Sequence, residues 1–263
     1  MTSSPKHAAE ADDSQHDGAH QNGAHREANA HGHGGGHGSE PSDQNPTEFW
    51  EQRYSDSERI WSGNVNRTLE AAVEQLPAGR SLDLGCGEGG DVLWLAQRGW
   101  KALGIDLSAT ATSRGNAELA DRGIKNARFI AADLGEWADD PAAIDGEPEG
   151  FDLVTASFFQ SPVELPREKI IRRALDRLTV GGSLVLLSHA SAPGWAKGHG
   201  PGDFHRPEGE LATLGLAATG VTTREDGKAF EIIDASIKIR RATGPDGHEH
   251  ELEDSLVVVR RQA

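Results

Sequence analysis

The chain has little of what marks a secreted or membrane protein. Its single cysteine, Cys86, excludes an internal disulfide bond. It has no run of about 18 consecutive apolar residues, so no segment is predicted to span a membrane. An apolar stretch behind a basic N-terminus, the pattern of a secretory signal, is also missing. These absences predict a cytoplasmic protein with no membrane partner.

Positive charge is scarce as well. The chain has 26 lysine and arginine residues against 42 aspartate and glutamate residues, a formal net charge of −16. Such a surface repels a nucleic-acid backbone unless a local basic patch exists, so no nucleic-acid partner is expected. Hydrophobic residues are 36% of the 263, which is enough for one or two domains with a true core.

The first 46 residues lack every large apolar side chain except Met1, and they hold seven of the twelve histidines. A segment of this composition buries too little surface to offset its ordering entropy, so residues 1–46 are predicted to be a disordered His/Gly-rich tail. The histidines leave two interpretations open: a weak divalent-metal tail or a solvated extension. Residues 47–263 are predicted to form one folded domain.

The pattern after residue 47 alternates between strands and helices. Strands are predicted at 81–84, 101–108, 127–133, 151–159 and 181–189, with apolar residues at helical spacing between them. This alternation predicts an α/β fold with a parallel sheet and helices on both faces. The last two strand patterns, AFEIIDASIKIRR and HEHELEDSLVVVRR, are joined by GPDG and predict an antiparallel hairpin.

A glycine-rich stretch, SLDLGCGEGG, joins the first strand to a helix. Such a turn presents free backbone N–H groups and a helix N-terminus at the edge where open α/β sheets bind ligands. Asp106 ends the second strand, where a carboxylate is placed to accept hydrogen bonds from a ribose. A nucleoside derivative is therefore the expected ligand, although Gly85, Gly87 and Gly90 also satisfy the dinucleotide pattern.

The block D-L-G-C-G-E-G resembles motif I of the class I S-adenosylmethionine-dependent methyltransferases. The blocks GIDLS, AADL, GFDLVTAS and LTVGGSLVLLS follow where that family has its later motifs. The resemblance implies a Rossmann-like fold: a mostly parallel seven-stranded sheet with a C-terminal antiparallel hairpin and helices on both faces. It also implies S-adenosyl-L-methionine as the cofactor. More loosely, the chain is similar to the tellurite-resistance and thiopurine-type methyltransferases.

The resemblance assigns roles to individual residues. Asp83 would hold the ammonium of the cofactor tail or brace the turn, and Asp106 would bind the ribose or cap the next helix. Asp133 and the backbone N–H of Leu134 would meet the adenine, while Trp61 would either close over the cofactor or pack the N-terminal helix. The implied cofactor-binding residues are Trp61, Asp83, Gly85, Cys86, Gly87, Gly89, Asp106, Leu107, Asp133, Leu134 and Ser157. Of these, Cys86 is expected to be a packing residue and not a nucleophile.

The implied reaction is methyl transfer by in-line displacement to a small-molecule acceptor in a monomer or homodimer. The predicted acceptor residues are His189, His205 and Arg206, in or near a glycine-rich loop at 190–210 that is interpreted as a lid, and no site metal is expected. A thiol or chalcogen anion needs no base, whereas a hydroxyl or amine acceptor would use His189 as a base. A third interpretation is a cofactor-binding sensor or scaffold without turnover.

Overall fold

The structure, a computed structural model, describes residues 44–191, 204–243 and 247–263. Most of the predicted tail, residues 1–43, lies outside this range. The described helices are α1 (Pro46–Ser55), α2 (Arg67–Val73), α3 (Gly90–Gln97), α4 (Ala109–Asp121), α5 (Leu134–Asp139), α6 (Pro141–Asp145), α7 (Arg167–Asp176) and α8 (Pro207–Leu214). The described strands are β1 (Arg80–Leu84), β2 (Lys101–Asp106), β3 (Ala127–Ala131), β4 (Phe151–Ser157), β5 (Leu178–His189), β6 (Val221–Thr223), β7 (Ala229–Thr243) and β8 (Glu249–Arg261).

The strands form one sheet in the order β3-β2-β1-β4-β5-β8-β7-β6. Strands β1 to β5 pair in parallel, and β8 pairs antiparallel with both β5 and β7. The predicted parallel sheet with an antiparallel C-terminal hairpin is therefore confirmed. Because the carboxyl ends of β1, β2, β4 and β5 meet at one edge, the loops that follow these strands are neighbours.

Successive side chains of a strand point to opposite faces of the sheet, so apolar side chains form a core on each face. In β5, Leu184 and Leu186 belong to one core, and Val185 and Leu187 belong to the other. The first core is closed by α5, α7 and α8, and the second by α2 and α3. The prediction of helices on both faces is confirmed.

Three details differ from the sequence prediction. The sheet has eight strands in the described ranges and not seven, because the three-residue β6 adds an edge beside the start of β7. A three-residue strand is too short to show an alternating pattern. Short helices α5 and α6 follow β3, and α8 occupies part of the segment that was predicted as a loop.

Side-chain caps fix where the helices nearest the site begin. Asn45 accepts hydrogen bonds from the first backbone N–H groups of α1, Asn66 does the same for α2, and Ser108 caps α4. Helix α1 then packs against α4, which places the N-terminal segment beside the end of β2. No helix within the described ranges is both long enough and apolar enough to span a membrane.

Candidate cofactor and acceptor site

The glycine turn between β1 and α3 has a backbone that favours glycine at three positions. Gly85, Gly87 and Gly89 have φ angles of +68°, +53° and +86°. Side chains also approach the turn closely: a Cβ at Gly85 would lie 2.6 Å from the Phe159 ring, and one at Gly87 would lie 2.8 Å from the Tyr54 hydroxyl. Both the backbone conformation and this close approach explain the run of glycines.

Gly89 differs from the other two glycines of the turn. A Cβ there would meet the ring of Phe129, which is buried in the core beneath α3. Its backbone N–H donates to the carbonyl of Cys86 within the turn, at 3.0 Å. Packing and turn geometry therefore account for Gly89, and its predicted contact with a cofactor stays a prediction.

Asp106 links the end of β2 to the glycine turn. One carboxylate oxygen accepts from the Gly87 backbone N–H at 2.8 Å, and the other accepts from the Ser108 backbone N–H at 2.9 Å. Burial raises the pKa of Asp106, while these backbone hydrogen bonds oppose the shift. A carboxylate has about four acceptor positions, so both oxygens keep capacity for a further donor. The half-buried Leu107 follows directly.

Two further carboxylates lie beside the turn. Asp83 is buried in β1 and accepts from the Thr155 hydroxyl at 2.7 Å. Burial, followed by the charge of Asp91, raises the pKa of Asp83 well above its usual value. Burial also raises the pKa of Asp91, and a hydrogen bond from the Asn66 backbone N–H opposes this shift. The structure thus brings predicted residues Asp83, Asp106 and Ser157 to one edge of the sheet.

Cys86 is held within the same group. A Cβ added at Gly104 would lie 2.7 Å from the Cys86 sulfur, so the thiol fills the space above a glycine of β2. Burial and then the charge of Asp106 raise the pKa of this thiol well above its usual value. Such a thiol stays protonated at neutral pH, which agrees with a packing role and not with a nucleophile.

The N-terminal segment covers the turn. The Trp61 indole N–H donates to the Tyr54 hydroxyl at 3.1 Å, and both side chains lie over Gly87. Glu88 fixes this arrangement: one carboxylate oxygen accepts from the backbone N–H groups of Ile60 and Trp61, and the other pairs with Arg114 at 3.0 Å. No role was predicted for Glu88, because its partners lie 26 to 28 residues away in the chain.

The segment after β3 shows a capping role for Asp133. Its side chain is exposed at the start of α5, where it accepts from the Gly135 backbone N–H at 2.6 Å. The next residue, Leu134, is buried in the core with its side chain. The cap explains why an aspartate stands here, and the predicted adenine contact by these two residues stays a prediction.

The end of β4 has an unusual backbone. Phe158 is the one non-glycine residue with positive φ in the described ranges, at +51°. A non-glycine side chain in this region costs about 1–2 kcal/mol, and such strain concentrates at functional sites. The ring of Phe158 stacks on His189 with 4.3 Å between ring centroids, while Phe159 lies against Gly85. Two consecutive phenylalanines therefore connect the glycine turn to the end of β5.

His189 at the end of β5 has a carboxylate partner. Its Nδ1 lies 3.3 Å from the carboxylate of Asp254, which is fully buried in β8 directly opposite His189. Arg240 of β7 donates from Nε to the same carboxylate at 2.6 Å, and its guanidinium lies 5.8 Å from the Phe158 ring centroid. His189 was predicted from the sequence, whereas Asp254 and Arg240 were not, because their placement depends on strand register.

His205 and Arg206 have different positions. The backbone N–H of His205 donates to the carbonyl of His189 at 3.2 Å, and its side chain lines an open groove of about 670 Å³ between α7 and α8. Burial and the charge of Arg167 lower the pKa of His205, and Glu210 opposes this shift. Arg206 is exposed at the N-cap position of α8. The structure therefore brings His205 next to His189 and leaves Arg206 at the surface.

A second buried ion pair lies behind these residues. Arg167 of α7 makes two hydrogen bonds to Glu210 of α8, at 2.9 and 2.6 Å, and its Nε donates to the carbonyl of Phe159 at 2.8 Å. The Ser188 hydroxyl donates to Glu210 at 3.0 Å. The pair thus joins α7, α8, β5 and the turn after β4. Most of the predicted lid, residues 192–203, lies outside the described residues.

The part of the chain that the structure describes contains no group of three or more histidine, cysteine, aspartate or glutamate side chains that could hold a metal ion. The histidines of the N-terminal tail lie outside that part.

Comparisons with known proteins agree with this architecture. A family model described as a methyltransferase domain matches residues 82–182. The 2-heptyl-1-hydroxyquinolin-4(1H)-one methyltransferase of Mycobacteroides abscessus is 32% identical over 130 residues, which are 49% of this chain and 55% of that protein. Probable thiol methyltransferase 2 of Arabidopsis thaliana is 28% identical over 151 residues, 55% of this chain and 62% of that protein.

A shorter segment is similar to a 23S rRNA (uracil(1939)-C(5))-methyltransferase of Aeromonas hydrophila, at 38% identity over 91 residues, 34% of this chain and 20% of that protein. The chain spans about half the length of the first of these curated relatives. A solved structure concerned with conversion of a disulfide bond into a thioacetal group in echinomycin biosynthesis has the same fold. It aligns with a TM-score of 0.59 at 24% identity and covers 82% of this chain and 92% of that one.

The matched segment begins in β1 and contains the glycine turn, Asp106 and the end of β4. The sheet around it ends in the antiparallel hairpin that the motif blocks led us to expect. Residues 82–182 therefore match a methyltransferase domain, and the named relatives and the fold support a class I S-adenosylmethionine-dependent methyltransferase.

Proposed function

We propose that the protein transfers a methyl group from S-adenosylmethionine to a small-molecule acceptor by in-line displacement. The observation that carries this proposal is the pair Phe158 and Phe159. One ring contacts the glycine turn and the other stacks on His189, so a cofactor at the turn and an acceptor at His189 would be adjacent. In-line transfer needs this adjacency, because alignment of the reacting atoms is the main contribution of the protein.

The residues beside the turn suit this cofactor. Asp83 and Asp106 are buried, burial raises the pKa of each, and neither makes a salt bridge to a basic residue in the described ranges. A ligand with a cationic ammonium and a sulfonium would supply the missing positive charge. Asp83 would hold the ammonium directly or through water, Asp106 the ribose hydroxyls, and the Leu134 backbone N–H the adenine. When bound, the cofactor supplies an already activated methyl group.

The chain itself contributes alignment and exclusion of water. Trp61 and Tyr54 cover the turn at Gly87, while Phe159 lies against Gly85 and Phe158 stacks on His189. Aromatic side chains that closed over a bound ligand would exclude water and strengthen the electrostatic interactions there. For a hydroxyl or amine acceptor, we expect His189 to act as the base.

The finer choice of acceptor stays between two classes. A thiol or chalcogen anion matches the loose resemblance to the tellurite-resistance and thiopurine-type enzymes, and one relative is named a thiol methyltransferase. An O- or N-methyltransferase is favoured by the histidine–aspartate pair, which an ionised acceptor would not need. Relatives also include ribosomal RNA methyltransferases, yet the net charge of −16 disfavours RNA here. We expect action in the cytoplasm, without a membrane or nucleic-acid partner, as a monomer or homodimer.

Two measurements test the proposed function. Calorimetry with S-adenosylmethionine and with NADH tests the cofactor, and transfer of labelled methyl groups to thiols, phenols, amines, chalcogen oxyanions and ribosomal RNA tests the acceptor. We expect binding of S-adenosylmethionine alone and labelling of one class of small molecule. Binding without any transfer would favour the sensor or scaffold, and labelling of RNA alone would overturn the small-molecule acceptor.

A further inference from the structure

The outer edge of β7 is unpaired over most of its length. β6 pairs with β7 only at residues 229–231, and the backbone N–H of Ile232 donates to the carbonyl of Gly220 at 3.0 Å. Beyond that point, at residues 233–243, no strand of the described ranges lies on this side of β7. An unpaired edge presents a row of backbone N–H and C=O groups, which can pair with a strand of another chain.

The side chains along this edge have a symmetric order. Ile233 and Ile239 are among the few large apolar side chains that are exposed in the described ranges, at 45% and 65%. Asp234 follows the first isoleucine and Lys238 precedes the second, and the Lys238 ammonium donates to Asp234 at 2.7 Å. Ser236 is the central residue, and its hydroxyl donates to Asp234 at 2.6 Å. From either end, the segment 233–239 therefore begins with an isoleucine and a charged residue, and the two charges have opposite signs.

We propose that two copies of the chain pair through residues 233–239, antiparallel about a two-fold axis at Ser236, so that their sheets join into one. In this register Asp234 lies opposite Lys238 of the partner subunit, and Ile233 lies opposite Ile239 of the partner subunit. The two-fold axis repeats both contacts, because the two copies use the same surface. Opposite charges and apolar side chains that face each other across an antiparallel pair stabilise it, whereas like charges destabilise it.

The charges of the segment favour this register over its neighbours. Asp234, Ser236 and Lys238 share one face of β7, because alternate residues of a strand do so and Asp234 accepts hydrogen bonds from the other two. Pairing about Ser236 therefore places two aspartates and two lysines in alternating order around the axis. An axis at Ala235 or Ile237 would separate both the charge pair and the isoleucine pair. An axis at Lys238 would place two lysines opposite one another.

Two features limit the pairing to seven residues. The register between β7 and β8 shifts between Ile232 and Asp234, so Ile233 is the extra residue of a bulge. A bulge bends its strand and can end regular pairing, and β6 occupies the edge beyond this one. By symmetry, the pairing also ends at Ile239. Seven paired residues form a small interface, for which we expect a dissociation constant on the order of 10–100 µM.

Sedimentation of the full-length protein at roughly 1–200 µM tests the inference without cofactor or acceptor. We expect the average mass to rise towards that of a dimer as the concentration increases. Lys238→Glu places carboxylates opposite one another, and Asp234→Lys does the same with ammonium groups. Each variant alone should therefore raise the dissociation constant by about 10-fold or more. An equimolar mixture of the two variants should associate as the wild type does, because every charge then faces its opposite in the mixed dimer.

The mixture separates pairing between chains from a structural role within one strand. If Asp234 and Lys238 stabilise only their own strand, mixing restores nothing, because each chain keeps its like charges. Lys101→Glu and Asp121→Lys change exposed charges outside β7 and are the matched controls. Both controls should associate like the wild type, alone and mixed.

Thermal unfolding identifies a variant that fails to fold, and Ser236→Cys then tests the same register. Two cysteines that face each other across the axis should form a disulfide-linked dimer on mild oxidation. The wild type, whose Cys86 packs over Gly104, should not form one.

A chain that stays monomeric up to about 200 µM would leave the edge to a different partner and would overturn the inference. A dimer that neither single variant weakens, a mixture that does not reassociate, or no disulfide in Ser236→Cys would overturn it as well. The inference does not depend on methyl transfer, so its failure and the failure of the proposed function are distinguishable.

Discussion

The two halves of the site differ in how most of their buried carboxylates are balanced, although Glu88 in the glycine turn pairs with Arg114. On the cofactor side, Asp83 and Asp106 have hydroxyl and backbone N–H partners and no salt bridge to a basic side chain in the described ranges. On the acceptor side, Glu210 and Asp254 each bind an arginine. All four carboxylates are less than a tenth exposed.

This difference teaches what each half is suited to bind. Burial disfavours a charge that has no partner, and it raises the pKa of both carboxyls on the cofactor side. We therefore expect a cationic ligand to balance Asp83 and Asp106. Glu210 and Asp254 of the acceptor half are already balanced by arginines, so that half needs no cationic ligand. The following experiments test this contrast, beginning with the largest expected effect.

Removing a cation from the acceptor half should damage the fold. Arg167→Met leaves the carboxylate of Glu210, which is 1% exposed, without its partner. We expect the free energy of unfolding to fall by about 3–5 kcal/mol, the usual cost of breaking a buried ion pair. Chemical denaturation measures it. Arg122→Met breaks an exposed pair with Glu118 and should cost only about 0.3–0.5 kcal/mol. Similar costs for both variants would show that the acceptor half is not held by its buried ion pair.

Removing a carboxylate from the cofactor half should damage binding. Asp106→Ala deletes charge-assisted hydrogen bonds to the expected ribose, worth about 1.5–3 kcal/mol, and should weaken S-adenosylmethionine roughly 10- to 100-fold. Calorimetry measures the Kd, with Asp121→Ala as a control at an exposed carboxylate of α4. Asp106 also braces the turn. The Kd of Asp106→Ala is therefore compared with that of Asp106→Asn, which keeps the shape of the side chain. An unchanged Kd in both Asp106 variants would remove Asp106 from the site.

The charge of Asp83, which has no basic partner in the described ranges, should affect how the melting temperature depends on pH. Burial raises the pKa of Asp83 in the folded state, so this group stabilises the fold while protonated and loses that contribution as pH rises above about 4. Without ligand, Asp83→Asn should therefore melt at a higher temperature than the wild type at neutral pH, and the difference should vanish near pH 4. Saturating S-adenosylmethionine should reverse the order at neutral pH. A difference that is independent of pH would contradict an unbalanced Asp83.

The smallest effect is expected outside both halves. A variant that lacks residues 1–43 keeps Asn45, which caps α1, and keeps every described contact of the site. Its melting temperature and its Kd for S-adenosylmethionine should match those of the full chain within experimental error. If added zinc raises the turnover of the full chain but not that of the truncated chain, the histidines within residues 1–43 have a role.

Local sequence patterns predicted the parts of the fold that depend on local physics. The alternation in β1 to β5, the helical spacing in α7 and the glycine turn are each readable within about ten residues. Val221–Thr223 is too short to show a period, which explains the missed β6. Helix α8 was missed because Pro207 and Gly209 suggested a loop, although proline is well suited to a first helical turn.

Only part of the site was predicted, because only part of it depends on local sequence patterns. Asp83 and Asp106 stand at strand ends, a position that the sequence shows directly. Asp254 and Glu210 become partners of His189 and Arg167 only through strand register and helix docking, across 65 and 43 residues of chain. No periodicity reports which charged residues will meet at such distances. The acidic overall composition also gave no indication that Glu210 and Asp254 would each pair with a partly buried arginine.

The position of β8 in the sheet has a consequence for synthesis of the chain. β8 inserts between β5 and β7, so β6 and β7 have no place in the sheet until residues 249–261 have left the ribosome. By then β1 to β5 and the glycine turn have all been made. Because Asp254 arrives with β8, the cofactor side is available for folding before the acceptor side can be completed.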